Sequence, residues 1–291
     1  MLSVIVCTRD RPQQLERCLC SFEDAIAPKG NWELFVVVND SGDRTLEVVN
    51  RFSRRRSLPL KHCFEATPGL SRARNHGITR AAGKILAFTD DDCLVSQSWM
   101  TSIINEFNED DSLRILAGRV EPADPHDLPI GIRTFSDRLT ISSFSQIMER
   151  LIGCNMAFRR EVFKSIGMFD TRLGAGTPTG SAEDTDIFYR AVKAGIKTCY
   201  VPEVFLRHAH GRTRGSPIQA INDNYAKGRG AFYCKHLLRG DRAILRCAYH
   251  EVVGLLKSTK ISPWKTTLQY GSGRVLRNLA LGALCELRPA T

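Results

Sequence analysis

Apolar residues at the start of the chain fall into unbroken runs separated by stretches of helical spacing. Leu2 to Thr8 is a short, β-branched run that ends at the polar turn Arg9-Asp10-Arg11-Pro12, after which Leu15, Cys18, Leu19 and Phe22 recur at helical intervals. Trp32 to Val38 repeats the first pattern, closes at Asn39-Asp40-Ser41-Gly42, and leads into a second helical stretch through Leu46, Val49 and Phe52. Leu60 to Phe64 predicts a third strand, Leu70 to Ala82 a third helix stopped at Gly83, and Lys84 to Thr89 a fourth strand. Strands that are apolar throughout belong to a parallel sheet covered on both faces, so the N-terminal half reads as an α/β layer structure.

Beyond Val120 the pattern weakens. Residues 120–147 are rich in Pro, Asp and Ser, which predicts a long connection or flap. Gly153 to Phe158 is again apolar and is followed by a helix through Glu161, Val162 and Ile166, the loop Gly174 to Gly180, a helix from Glu183 to Ala194 stopped by Gly195, and a last strand from Thr198 to Val201. From residue 215 onward the spacing is helical, with Ile244, Leu245, Ala248, Val252, Leu255 and Leu256 assigned to one apolar face. The expected organisation is an α/β unit over residues 1–214, divided near residue 119, and a basic helical extension over 215–291.

Composition changes this picture little. With 43% hydrophobic and 25% charged residues in 291, the chain is that of a globular protein, and no run is long enough to span a membrane. The opening run is too short and strand-like for a signal peptide, and ten cysteines without a CxxC pair suit reduced thiols, so the expected location is cytoplasmic. Charge adds one asymmetry: the net +10 resides wholly in residues 201–291, which hold 15 Lys and Arg against 5 Asp and Glu. Such a surplus attracts an anionic acceptor or an anionic membrane surface, or is simply a solvated helix face. The extension lacks the interleaved aromatic and basic residues that stack bases, so no nucleic-acid partner is expected.

Phosphate-loop and dinucleotide fingerprints are absent: there is no GxxxxGK[ST], and Gly174, Gly176 and Gly180 have the wrong spacing and follow no strand. The chemistry concentrates instead at the ends of the predicted strands, where open parallel sheets bind ligands: Thr8, Asn39-Asp40 and Asp90-Asp91-Asp92. Three adjacent carboxylates repel one another unless a cation compensates them, and hard oxygen ligands suit Mg²⁺ or Mn²⁺. Taken alone, the triplet reads equally as an exposed acidic turn before a helix near Ser96.

Seven segments occur in an order that resembles family 2 glycosyltransferases of the GT-A fold. They are Ser3-Val-Ile-Val-Cys-Thr-Arg-Asp-Arg-Pro, Val38-Asn-Asp-Ser-Gly-Asp, Gly69-Leu-Ser-Arg-Ala-Arg-Asn-His-Gly, Phe88-Thr-Asp-Asp-Asp, Gly153-Cys-Asn-Met-Ala-Phe-Arg-Arg, Gly180-Ser-Ala-Glu-Asp-Thr-Asp and His208-Ala-His-Gly-Arg-Thr. The resemblance implies an α/β fold with a mostly parallel central sheet flanked by helices, and an inverting, metal-dependent transfer of a sugar from a nucleotide-diphosphate sugar to a hydroxyl of a glycan or lipid-linked glycan, in polysaccharide or cell-envelope synthesis. It implies that Asp40 accepts from the nucleobase ring and that Thr8, Arg9, Arg74, Asp90 and Asp91 also line the donor pocket. Asp92 would ligate Mn²⁺ or Mg²⁺ as part of a DxD motif whose register within the triplet stays open, with His208 or His210 as a further ligand. Asp184 would be the general base, Glu183 and Asn155 would face the acceptor, and Arg212 or Arg214 would contact the leaving diphosphate. Met156 and Phe158 are expected in the core, and Arg72 on a solvated face.

Two rivals come from other classes. Nucleotidyl transfer to a sugar phosphate wants glycines after the first strand, which Thr8-Arg9-Asp10-Arg11-Pro12 lacks. A catalytically silent binder of carbohydrate or anionic ligands, using the basic C-terminal surface, would survive loss of Asp92 and Asp184 unchanged. Peripheral membrane contact through the C-terminal helices is the remaining partner expectation.

Overall fold

A computed structural model describes residues 1–40, 42–213, 218–257 and 272–287. Its elements run β1 (Leu2–Thr8), α1 (Pro12–Glu23), β2 (Trp32–Asn39), α2 (Asp43–Arg55), β3 (Leu60–Glu65), α3 (Leu70–Arg80), β4 (Ile85–Asp90), β5 (Cys93–Val95), α4 (Trp99–Glu109), β6 (Ile115–Pro122) and β7 (Leu139–Thr140). They continue with α5 (Phe144–Arg150), β8 (Asn155–Arg159), α6 (Val162–Ile166), α7 (Glu183–Lys193), β9 (Thr198–His208), α8 (Ile218–Leu238), α9 (Ala243–Lys257) and α10 (Ser272–Leu287).

The strands form one sheet in the order β3-β2-β1-β4-β8-β6-β9-β5, with β7 beside β9. It is parallel from β3 to β4. Beyond β4 it becomes mixed: β8 runs antiparallel to both β4 and β6, while β6 and β9 are parallel. Successive residues of β1 feed opposite cores, Val4 and Val6 on the side of α1, α2 and α4, and Ile5 and Cys7 on the side of α3, α5, α7 and α8. This is why the strand is buried at every position.

Three strands went unread in the sequence, β5, β6 and β7, and β9 extends to His208 rather than ending at Val201. The weakly patterned stretch after Val120 includes β7 and the start of α5.

The C-terminal helices share the second core through Phe232, Tyr233, Ile244 and Leu279. Lys235, 3% exposed, lies 2.8 Å from Asp170 and 2.7 Å from Asp186, and His236 Nε2 lies 2.9 Å from the same Asp186. Asp186 belongs to α7, so a buried ionic cluster ties α8 to the helix that begins at Glu183. Gly230 and Gly282 let α8 and α10 pack backbone to backbone, since a Cβ at either would lie 1.9 or 1.8 Å from a carbonyl oxygen of the other helix. The proposed apolar face of α9 is divided: Ile244 is buried, Leu245 is 53% exposed, and the side chains of Val252, Leu255 and Leu256 lie outside the described ones. Two consecutive helix positions point about 100° apart, so Ile244 and Leu245 do not bury on the same side.

Candidate active site

The C-terminal ends of β1, β2 and β4 meet at one edge of the sheet, as the switch in strand order between β1 and its two neighbours requires. The acidic triplet follows from that placement. Asp90 closes β4, with its side chain 30% exposed. Asp91 turns inward, 3% exposed, and accepts from Thr8 Oγ1 at 2.8 Å and Arg11 Nη1 at 2.7 Å. Burial pushes its carboxyl up to about 7 against the pull of Arg11 and Thr8. Asp91 and Thr8 are therefore bonded to one another beneath the strand end, each 3% exposed. Asp90 and Asp92 remain as the two acids flanking it.

Arg11 Nη2 also donates to Asp92 Oδ2 at 2.7 Å, so one guanidinium spans two of the three carboxylates. Its fork of donors compensates the like charges that the triplet accumulates. The sequence singled out Arg9 in this turn and passed over Arg11; the signal was an arginine placed immediately before the first helix, one turn from a strand end crowded with acids. Arg9 instead pairs with Asp40 at 2.7 Å, both about half exposed at the rim of the edge.

The two histidines separate cleanly. His208 Nε2 lies 3.3 Å from Asp92 Oδ1, and Cys93 completes a group whose candidate ligand atoms all fall within 4.8 Å of one another. Cys93 and His208 are cross-strand partners in the β5–β9 ladder. Burial lowers the His208 pKa, but the hydrogen bond to Asp92 outweighs it and the ring is held up to about 9, while Asp92 sits well below the usual carboxylate range despite its burial. His208 Nδ1 is buried without a hydrogen-bond partner. A carboxylate and an imidazole converging in this way fit a divalent cation such as Mn²⁺. His210 does not join them. Its Nδ1 accepts from the Arg212 backbone N–H at 2.9 Å and its Nε2 lies 3.0 Å from the Leu128 carbonyl, so both ring nitrogens have protein partners, and His208 is the histidine that lies beside Asp92.

Arg74 is the most buried charge of the site, at 2% exposure. Its Nη1 donates to Glu183 Oε1 at 3.0 Å, and its Nη2 to Asp90 Oδ1 at 3.1 Å and the Gly153 carbonyl at 3.3 Å. The expectation that it meets the donor is thus corrected: its fork is spent inside the protein, joining β4 to the start of α7. Glu183 is likewise interior, pushed up to about 7 by burial and by neighbouring Asp184 against the pull of Arg74, and does not face an acceptor. Asp184, the next residue, is half-buried. Its Oδ2 accepts from the Gly153 N–H at 2.8 Å and its Oδ1 from the Thr185 N–H at 2.7 Å.

Asn155 is also reassigned. It is fully buried: Nδ2 donates to the carbonyls of Arg119 and Val204, both at 2.9 Å, and Oδ1 accepts from Trp99 Nε1 at 2.9 Å. Its amide bridges β6 and β9 where their ladder shifts register, and nothing is left for an acceptor. Asn39, unassigned by sequence, pins the entry to α3 by donating to the Glu65 and Thr67 carbonyls and accepting from the Gly69 N–H at 2.9 Å. Met156 and Phe158 are core residues, Arg72 is exposed, and Arg214 lies outside the described residues.

Glycosyltransferase AglE of Haloferax volcanii is 26% identical over 213 residues, covering 71% of this chain and 66% of AglE. A glucosyl-dolichyl phosphate glucuronosyltransferase of the same organism is 24% identical over 180 residues, covering 60% of this chain and 57% of that protein. The chain thus spans less than two thirds of the length of these relatives. The mannosyltransferase PcManGT of Pyrobaculum calidifontis, solved with GDP-Man and Mn²⁺, superposes with a TM-score of 0.65 at 18% identity over 100% of this chain and 88% of its own, which shows that the fold is GT-A. The sequence profile "Glycosyl transferase family 2" matches residues 3–167, and the chain belongs to that family.

Proposed function

We propose that this protein is an inverting, metal-dependent glycosyltransferase that moves a sugar from a nucleotide-diphosphate sugar to a hydroxyl of a glycan or lipid-linked glycan, in polysaccharide or cell-envelope synthesis. One observation carries the reading: a single buried guanidinium, Arg74, touches both Asp90 at the donor edge and Glu183 beside Asp184, so the assigned base lies next to the assigned donor edge. Asp40, at the end of β2, is the acceptor for the nucleobase N–H, and Asp90, the exposed member of the triplet, takes the ribose hydroxyls. Asp92 and His208 are the residues that would hold the cation, in the register Asp90-x-Asp92. When bound, that cation supplies charge neutralisation for the departing diphosphate. Asp184 takes the acceptor hydroxyl's proton as its oxygen attacks the anomeric carbon from the face opposite the leaving group. Arg212 is the candidate contact for the diphosphate as it departs. Support for a cation comes also from PcManGT, solved with Mn²⁺.

The reading predicts that nucleoside diphosphate release from UDP-glucose, UDP-N-acetylglucosamine or GDP-mannose requires Mn²⁺ or Mg²⁺ and stops on chelation. Full release after EDTA treatment and desalting contradicts the metal requirement.

The acceptor is proposed to be presented at an anionic membrane surface. Among the described residues no helix is long and apolar enough to cross a bilayer, so contact would be peripheral. Arg242, Leu245, Arg246 and Tyr249 follow i, i+3, i+4, i+7 spacing, all exposed, with Leu245 at 53% and Tyr249 at 64%. A face of arginines, leucine and tyrosine suits the headgroup region of anionic lipid. At about 1 kcal/mol per basic residue, replacing Arg242 and Arg246 by alanine weakens binding to phosphatidylglycerol vesicles roughly thirtyfold. Equal sedimentation of wild type and variant with those vesicles refutes the contact.

A further inference from the structure

Gly153 has no side chain, yet its peptide group touches both halves of the site. Its N–H donates to Asp184 Oδ2 at 2.8 Å, and its carbonyl accepts from Arg74 Nη2 at 3.3 Å. Arg74 in turn reaches Asp90 and Glu183. Of the two backbone N–H groups that hold the Asp184 carboxylate, the one from Thr185 comes from the next residue of the same helix, so it moves with α7. The one from Gly153 comes from the turn between α5 and β8 and fixes the carboxylate against the start of that strand.

The space around Gly153 is fitted to the same end. A Cβ there would lie 3.0 Å from Asp184 Cβ, 3.1 Å from Asp184 Oδ2 and 3.3 Å from Arg74 Nη2. Gly153 is not among the residues with positive φ, so the requirement is one of room and not of backbone conformation. The Cβ of Asp184 is fixed by the α7 backbone, so rotating the carboxylate does not relieve that contact. A side chain at 153 therefore requires α7 or the turn before β8 to give by a few tenths of an ångström, and the carboxylate moves with it.

We infer that Gly153 is a positioning residue, whose peptide group sets the place of the Asp184 carboxylate and couples it through Arg74 to the strand end that bears Asp90. The inference rests on the reading of Asp184 as the general base. A base displaced by a fraction of an ångström leaves donor binding intact and loses the step in which the proton moves. That step also operates on water in the acceptor's place: the proton passes to Asp184, the oxygen bonds to the anomeric carbon, and the bond to the diphosphate breaks.

The test compares wild type, Gly153→Ala and Asp184→Asn in Mn²⁺ for hydrolysis of UDP-glucose, UDP-N-acetylglucosamine and GDP-mannose, read as nucleoside diphosphate released. Donor KM and calorimetric binding of the free nucleoside diphosphate are measured alongside. A shift of a few tenths of an ångström is smaller than the misplacement near 1 Å that lowers rate roughly 10²-fold, so Gly153→Ala is expected to lose kcat by roughly 3- to 10-fold, with KM and nucleotide binding as in wild type. Wild-type kcat in Gly153→Ala, with Asp184→Asn inactive, overturns the positioning role and leaves the base in place. A fall in kcat matched by an equal loss of nucleotide binding also overturns it, because general loosening of the fold produces that pattern. Wild-type kcat in Asp184→Asn removes the base itself, and the positioning role with it.

Discussion

Asp184→Asn is expected to lose transfer by roughly 10²- to 10⁴-fold while binding nucleoside diphosphate as wild type does, the range that a positioned base contributes. The amide keeps the shape of the carboxylate, and its oxygen still accepts from the Gly153 N–H while the bond from the Thr185 N–H is given up, a loss of about 1 kcal/mol that leaves the fold in place. What disappears is the capacity to take a proton. The two carboxyls that begin α7 differ in kind: Glu183 is buried against Arg74, whereas Asp184 is only half-buried. Loss of kcat with unchanged donor KM marks an interaction made only in the transition state. Wild-type turnover in Asp184→Asn contradicts the assignment.

The second large effect is on stability. Arg74→Met removes a guanidinium that is 2% exposed and satisfies Glu183, Asp90 and the Gly153 carbonyl at once. Breaking a buried ion pair by deleting one partner costs about 3–5 kcal/mol, because the other charge is left buried and unpaired. The unfolding midpoint is expected to fall by roughly 5–8 °C. Adding Glu183→Gln to the same chain is expected to restore much of the loss, since it removes the stranded charge, and the double-variant cycle reads the coupling directly. Additive losses, or an Arg74→Met chain as stable as wild type, contradict the account of Arg74 as an internal clip.

How far the sequence carried the fold depended on how evenly each strand was apolar. β1, β2 and β4 lie between covered faces, so their middle positions form unbroken apolar runs and each run announces itself. β6 does not, because Gly118 and Arg119 interrupt it where its ladder with β9 shifts register. β5 and β7 are three and two residues long, below the length at which any period is visible. The α9 face was misjudged for a related reason: Ile244 and Leu245 are both apolar, and spacing alone does not say which is covered.

The site was readable at the level of segments and less so at the level of side chains. Strand ends located the edge, and the motif order located Asp90, Asp92, Asp184 and His208 beside it. Sequence gave no means of seeing that Arg74 and Asn155 point inward, because arginine and asparagine are as common at the rim of a pocket as in a buried polar bridge. Nor did it separate His208 from His210, two residues apart on an HxH; the difference is made by the Arg212 N–H and the Leu128 carbonyl, which occupy His210 from the loop and the flap. Gly153 was hidden for the simplest reason, that its contribution is a peptide group.

The central claim is a nucleotide-diphosphate site built on Asp92 and His208, and calorimetric titration of UDP, dTDP, GDP and CDP tests it most directly. Each is titrated with and without Mn²⁺ into wild type and Asp92→Asn. The account predicts that one nucleotide binds wild type only when Mn²⁺ is present, and that Asp92→Asn loses this binding. Nucleotide binding that is indifferent to Mn²⁺ and to Asp92, or no binding of any of the four, would contradict it.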